Sequence, residues 1–234
     1  MSTEQSPSRS HLPVPSGGRS GPIAFDAREP DAASPKIEPL RPPPGAPNVL
    51  IVLLDDAGFG APSAFGGPCQ TPSAEKLAAS GLKYIRFHTT AICAPTRQAL
   101  LTGRNHHSCG MGNLTELANG HAGYCSVLPN SIAPLALTLK LNGYSTAQFG
   151  KCHEVPVWQT SPAGPFDQWP AGGGGFEYFY GFLGGETNQW YPTLYEGTTP
   201  VELKKTPQQG YHLVDDMTEK AIKWIGQQKA LAPD

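Results

Sequence analysis

The run Asn48-Val49-Leu50-Ile51-Val52-Leu53-Leu54 closes on two carboxylates, Asp55 and Asp56, with Gly58 and Gly60 just behind them. Six aliphatic side chains in succession, without a polar residue between them, predict a strand buried on both faces, as in a parallel sheet covered by helices. The carboxylates then stand at the C-terminal end of that strand, where open α/β sheets bind ligands. Adjacent carboxylates repel each other, and a hard divalent cation such as Ca²⁺ or Mg²⁺ would compensate them. An acidic turn without a ligand gives the same local pattern.

Downstream, Thr71-Pro72 predicts a helix start, with Thr71 as N-cap and Pro72 at the first helical position. Leu77 and Ala78 supply its buried face and Ser80-Gly81 ends it. Residues 83–89 alternate in polarity and predict a strand that delivers the chain to Cys93-Ala94-Pro95-Thr96-Arg97. Pro95 suits the first turn of a helix, Ala99-Leu100-Leu101 continue it, and Gly103 stops it. Cys93 therefore sits at a helix N-terminus, where backbone N–H groups favour negative charge. Arg97 lies about one turn on and faces the same side. A buried cysteine with a surface arginine fits the local pattern equally well.

Residues 134–143 predict a second amphipathic helix ended by Asn142-Gly143, and residues 144–149 an inner strand. A helix between strands implies a right-handed crossover and parallel pairing with the first strand. Gly150-Lys151-Cys152-His153 follows. Lys151 and His153, two residues apart, share a face in extended backbone and together suit anion binding and proton transfer; a surface lysine and a loop histidine is the plain alternative. His106 and His107, near Cys109, point in different directions and read as a polar loop rather than a zinc site. Residues 113–124 read as irregular. Residues 156–200, crowded with Gly, Pro and aromatic rings, read as long loops whose rings mostly serve packing, with some lining a pocket mouth. Leu213, Met217, Ala221, Trp224 and Ile225 form one stripe of a clear helix, with Asp215 and Asp216 near its positive end.

The chain divides into residues 1–46, a Pro/Ser/Gly-rich arm and linker, and residues 47–234, the folded part. A net charge of −2 gives no reason to expect nucleic acid or an anionic membrane as partner. No apolar run approaches the ~20 residues that cross a bilayer, and the N-terminus lacks the apolar core of a secretory signal. Five cysteines at irregular spacing, without a Cys-x-x-Cys pair, suit isolated thiols in a reducing compartment. The expected location is the cytoplasm.

The string Cys93-Ala94-Pro95-Thr96-Arg97, with Leu101-Thr102-Gly103-Arg104 behind it, resembles the signature of the type I sulfatases, arylsulfatases of the alkaline phosphatase superfamily. Residues 48–60 resemble the opening block of that family, and Gly150-Lys151-Cys152-His153 resembles its Gly-Lys-Trp-His motif, with Cys152 in place of the tryptophan. Residues 181–190 look like the large bacterial arylsulfatase branch. The resemblance implies an α/β fold, a mostly parallel sheet with helices on both faces, truncated after about half of the catalytic domain. It also implies sulfuric ester hydrolysis on a small-molecule sulfate ester. Cys93 would be converted by a formylglycine-generating maturation enzyme to formylglycine (3-oxoalanine). Arg97, Lys151 and His153 would be the other catalytic residues. Asp55, Asp56 and the converted Cys93 would ligate a divalent cation, calcium first and magnesium second. Loss of the tryptophan ring at position 152 is expected to loosen the packing behind Lys151 and His153.

The resemblance runs from about residue 48 to the last residue. It leaves unassigned a later histidine, a second lysine and an Asp-Asn pair that complete the family's site. The chain is therefore expected to be a fragment. A phosphonate monoester or phosphodiester hydrolase of the same superfamily, and a catalytically inactive remnant, are the competing readings.

Overall fold

The computed structural model describes residue 28 and residues 40–231. The chain divides between Leu40 and Arg41 into two units, and all the elements below belong to the second. Most of the arm expected over residues 1–46 lies outside the described residues.

Four strands form one sheet in the order β1-β2-β3-β4: β1 is Ala147–Cys152, β2 Tyr178–Leu183, β3 Leu194–Glu196 and β4 Thr199–Val201. β1 and β2 are parallel, in a register that pairs Ala147 with Tyr178 and Cys152 with Leu183. β2–β3 and β3–β4 are antiparallel. The fold is α/β, with a mixed sheet rather than a mostly parallel one. Among the described residues four α-helices accompany it: α1 Pro72–Ser80, α2 Cys93–Thr102, α3 Leu135–Lys140 and α4 Leu213–Leu231. None of the described helices is long and apolar enough to cross a membrane.

The parallel pair is a place of close backbone approach. Gly181 stands opposite Gly150, and a Cβ on Gly181 would lie 1.9 Å from the Gly150 carbonyl oxygen. Gly150 itself has φ +91°, and a Cβ there would meet the Met217 sulfur of α4 at 2.6 Å. Glycine is the residue that both the turn of the backbone and the seat of α4 admit.

β2 alternates, and so serves two cores. Phe179 packs with Cys152, Val155 and Trp169, with Phe166, Leu183 and Tyr195 around them. Tyr180 and Phe182 pack with Leu194 and Leu213. The predicted apolar stripe of α4 lies over this second core, where Trp224 meets Phe149 and Tyr178. Asp216, in the first turn of α4, accepts hydrogen bonds from the Tyr180 and Tyr211 hydroxyls at 2.7 and 3.1 Å. The rings of residues 156–200 divide as packing predicts: Trp169, Phe179 and Tyr180 are buried, whereas Trp158, Trp190 and Tyr191 are exposed.

Residues 48–54 do not form the expected central strand. They run without a ladder partner among the described residues, and their aliphatic side chains are 43–78% exposed. A strand exists only through its neighbours, and an apolar run cannot supply them. The parallel partner of β1 is instead β2, from the stretch read as loop. Residues 83–89 are likewise irregular. The strand read at residues 144–149 starts three residues later, because the β2 register begins at Ala147; Lys151 and Cys152 thus lie within the strand. α3 is shorter than the expected 134–143, and its end tightens through N–H groups of Asn142 and Tyr144 to the Leu139 carbonyl. At α1, Pro72 takes the first turn as expected, but the Thr71 side chain makes no cap and bonds Ser63 instead, at 3.1 Å.

Candidate active site

Cys93 opens α2 after an extended Ile92, Pro95 is buried in the first turn, and Gly103 closes the helix with φ +64° and its N–H on the Ala99 carbonyl. The thiol therefore projects from the helix end that favours negative charge. Its Sγ lies 3.1 Å from Nδ1 of His153, which is 1% exposed.

Arg97, one turn along α2, ties the helix to β1. Its guanidinium donates to the Lys151 carbonyl at 3.0 Å and to Asp55 Oδ1 at 3.3 Å. Lys151 donates from Nζ to Asp55 Oδ2 at 2.7 Å. Burial raises the Asp55 carboxyl, but the hydrogen bond and charge of Lys151 and the charge of Arg97 outweigh it and hold the group below the usual aspartate value. Lys151 and His153 thus work on one side of the extended backbone. Cys152 points to the other, 3% exposed among Val155, Trp169 and Phe179. Those two rings pack on the cysteine, which also borders a cavity of about 240 Å³ together with Gln98, Gln148 and Glu154. The Cys152 thiol is pushed well up by burial and by the neighbouring Glu154. Among the described residues Arg97 Nε is buried without a hydrogen-bond partner, and Glu154 is buried beside the Cys152 thiol, where burial raises its carboxyl.

The structure thus gathers Cys93, Arg97, Lys151, His153 and Asp55. It does not bring Asp56 to them in any recorded contact; Asp56 is exposed, with φ +51°. Carboxylate oxygens suit a hard cation, but two carboxylates fall short of the six to eight oxygens calcium takes. Asp55 is already engaged by two cationic side chains. Among the described residues no group of three or more His, Cys, Asp or Glu is placed to hold a metal ion. These residues alone do not fit an enclosed cation.

One member of the cluster escaped the sequence. Glu116 sits in a short 3-10 turn, Thr115–Leu117, inside the loop that follows α2. Its carboxylate receives His153 Nε2 at 2.8 and 3.0 Å. Burial raises the Glu116 carboxyl, but the His153 hydrogen bond leads the interactions that bring it below the usual glutamate value. An acid in a polar loop carries no periodicity, and only the long-range contact reveals it. His106 and His107 lie in the same loop with rings 4.3 Å apart, and His107 meets the Tyr124 hydroxyl at 3.1 Å. Burial and the His107 charge lower the His106 value.

The family model named Sulfatase matches residues 47–233. The chain belongs to the sulfatase family. An uncharacterized sulfatase of Schizosaccharomyces pombe is 34% identical over 171 residues, which cover 68% of this chain and 31% of that protein. An arylsulfatase of Klebsiella aerogenes is 31% identical over 154 residues, covering 65% of this chain and 31% of its own length. This sulfatase chain therefore spans about a third of the length of these curated relatives. A crystal structure of Ps i-CgsB superposes with a TM-score of 0.54 at 22% identity, over 74% of this chain and 40% of that one, and so shares the fold.

Proposed function

We propose that this sulfatase chain carries the nucleophile of a sulfuric ester hydrolase of the arylsulfatase type. The observation that carries the reading is the meeting of Cys93 with His153 at 3.1 Å, with Arg97 one turn along the same helix and Lys151 two residues before His153, both bound to Asp55. The substrate is a small-molecule sulfate ester, and the partner is a maturation enzyme that converts Cys93 to formylglycine.

Once formed, the hydrated aldehyde at position 93 supplies the oxygen that bonds sulfur as the S–O bond to the alcohol or phenol breaks. The Cys93 Sγ marks where the first atom beyond Cβ stands. His153 Nδ1 is within hydrogen-bond reach of that atom and takes the proton released there when sulfate departs. Arg97 and Lys151 stabilise the negative charge of the sulfate group, and they are already held in place by Asp55 and need no rearrangement. An unconverted thiol is a poor substitute, because it has no second hydroxyl with which to expel sulfate. Asp55 and Asp56 are proposed as two carboxylate ligands of a divalent cation, calcium or magnesium. Two carboxylates leave most of the coordination sphere of such a cation to other oxygens.

The test is turnover by the full-length matured protein on an aryl sulfate and on a phosphonate ester carrying the same leaving group. The reading predicts the higher kcat/KM on the sulfate. Preference for the phosphonate transfers the chain to the related hydrolases, and absence of turnover on both makes it a remnant.

A further inference from the structure

His153 is held from both ring nitrogens. Nδ1 faces Cys93 Sγ at 3.1 Å, and Nε2 faces the Glu116 carboxylate at 3.0 Å to Oε1 and 2.8 Å to Oε2. The ring is 1% exposed, whereas the Glu116 side chain is 44% exposed and meets the ring from the solvent side. An ionised carboxylate only accepts, and Nε2 must therefore donate. In the neutral imidazole the other nitrogen is then bare, with its lone pair aimed at the atom on residue 93.

We infer that Glu116 is a positioning residue, fixing His153 with its proton on Nε2 so that Nδ1 meets the reacting atom of residue 93 as a base. A carboxylate behind an imidazole, with a nucleophile position ahead of it, is the arrangement that orients the base in triad enzymes. The inference deepens the sulfate-ester reading and rests on it for its rate measurement.

The loop is built to hold the carboxylate still. Thr115 is fully buried, and its hydroxyl donates to Glu116 Oε2 at 3.2 Å. The loop is closed on itself by Gly112 N–H to the Gly123 carbonyl at 2.7 Å, Asn119 N–H to the Tyr124 carbonyl at 2.9 Å and Ser126 N–H to the Gly110 carbonyl at 2.8 Å. Cys109 and Met111 anchor it in the interior. The buried threonine of this loop thus stands beside the acid that is hydrogen-bonded to His153. The pairing also separates two tasks: Asp55 gathers the cations, and Glu116 serves the base alone.

The experiment is a double-mutant cycle in the matured full-length protein, with aryl sulfate turnover as the readout. Glu116→Gln keeps the shape and removes the charge; it is expected to lower kcat about 10–100-fold with KM unchanged. Glu116→Asp restores part of that loss. In the His153→Ala background, Glu116→Gln costs nothing further, because Glu116 acts through His153. An unchanged kcat in Glu116→Gln, or an equal loss in both backgrounds, would overturn the inference. If the wild-type protein shows no turnover, the sulfate-ester reading fails and the positioning role is read from nitrogen NMR of His153. The wild type should show the Nε2–H tautomer and Glu116→Gln a mixture of both. A wild-type Nδ1–H tautomer, or one unchanged tautomer in the variant, overturns the role independently of activity.

Discussion

His153 Nδ1 lies 3.1 Å from Cys93 Sγ across sixty residues of chain, joining the end of β1 to the first residue of α2. Two short local motifs thus become one site. The Arg97 guanidinium on the Lys151 carbonyl locks the helix to the strand, and Asp55 collects the two cations.

On the proposed reading, replacing His153 by alanine removes the base from beside position 93. The expected loss in kcat on an aryl sulfate is about 10²–10⁴-fold. Steady-state kinetics of the matured full-length protein measure it, and a loss below tenfold would move the base elsewhere.

Gly181→Ala places a methyl group against the Gly150 carbonyl, where the Cβ would stand at 1.9 Å. The parallel pair has to separate, at a cost of about 1–3 kcal/mol or more. Because Lys151 follows Gly150 in β1, turnover should fall along with the melting temperature. An unchanged melting temperature would show that the strands are not packed as described.

Glu196 sets an acid dependence where β3 meets Tyr178 and α4. It accepts the Tyr178 hydroxyl at 2.6 Å and Lys220 Nζ at 3.1 Å. The Tyr178 hydrogen bond leads in holding its carboxyl below the ordinary 4.5 against the opposing effect of burial. A depressed folded value means that the carboxylate's contribution is in full force above the unfolded value and is lost as pH falls through the folded one. Urea midpoints of wild type and Glu196→Gln should therefore differ at pH 7 and converge toward pH 3. The side chain is 45% exposed, so the difference should be small and should shrink in high salt.

How much of this was legible in the sequence follows from how local each signal is. α2 was readable because Pro95 and Gly103 punctuate it within ten residues, and α4 because its apolar stripe repeats at helical spacing. Lys151 and His153 were readable as a pair because extended backbone repeats every two residues. The sheet was not. Residues 49–54 carry the composition of a buried strand, yet strand formation depends on partners, and none of the described residues pairs with them. Residues 178–183, Tyr-Phe-Tyr-Gly-Phe-Leu, were hidden among glycines and prolines although they supply the strand on which β1 is registered. Glu116 was unreadable for the same reason: its meaning lies in a contact 37 residues away in sequence.

Trp169 should prove the main internal support of the face behind the site. Its ring is fully buried between Phe166 and Tyr195, and its Nε1 donates to the Gln159 carbonyl. Trp169→Ala should cost about 3–5 kcal/mol in chemical unfolding. A cost below 1 kcal/mol, well under that range, would mean that Cys152 and Phe179 do not rely on it.

The most direct test of the central claim is aryl sulfate turnover by the matured full-length protein, wild type against Cys93→Ala. Position 93 as the nucleophile predicts that Cys93→Ala abolishes measurable hydrolysis while the fold survives. Turnover retained in Cys93→Ala would contradict it.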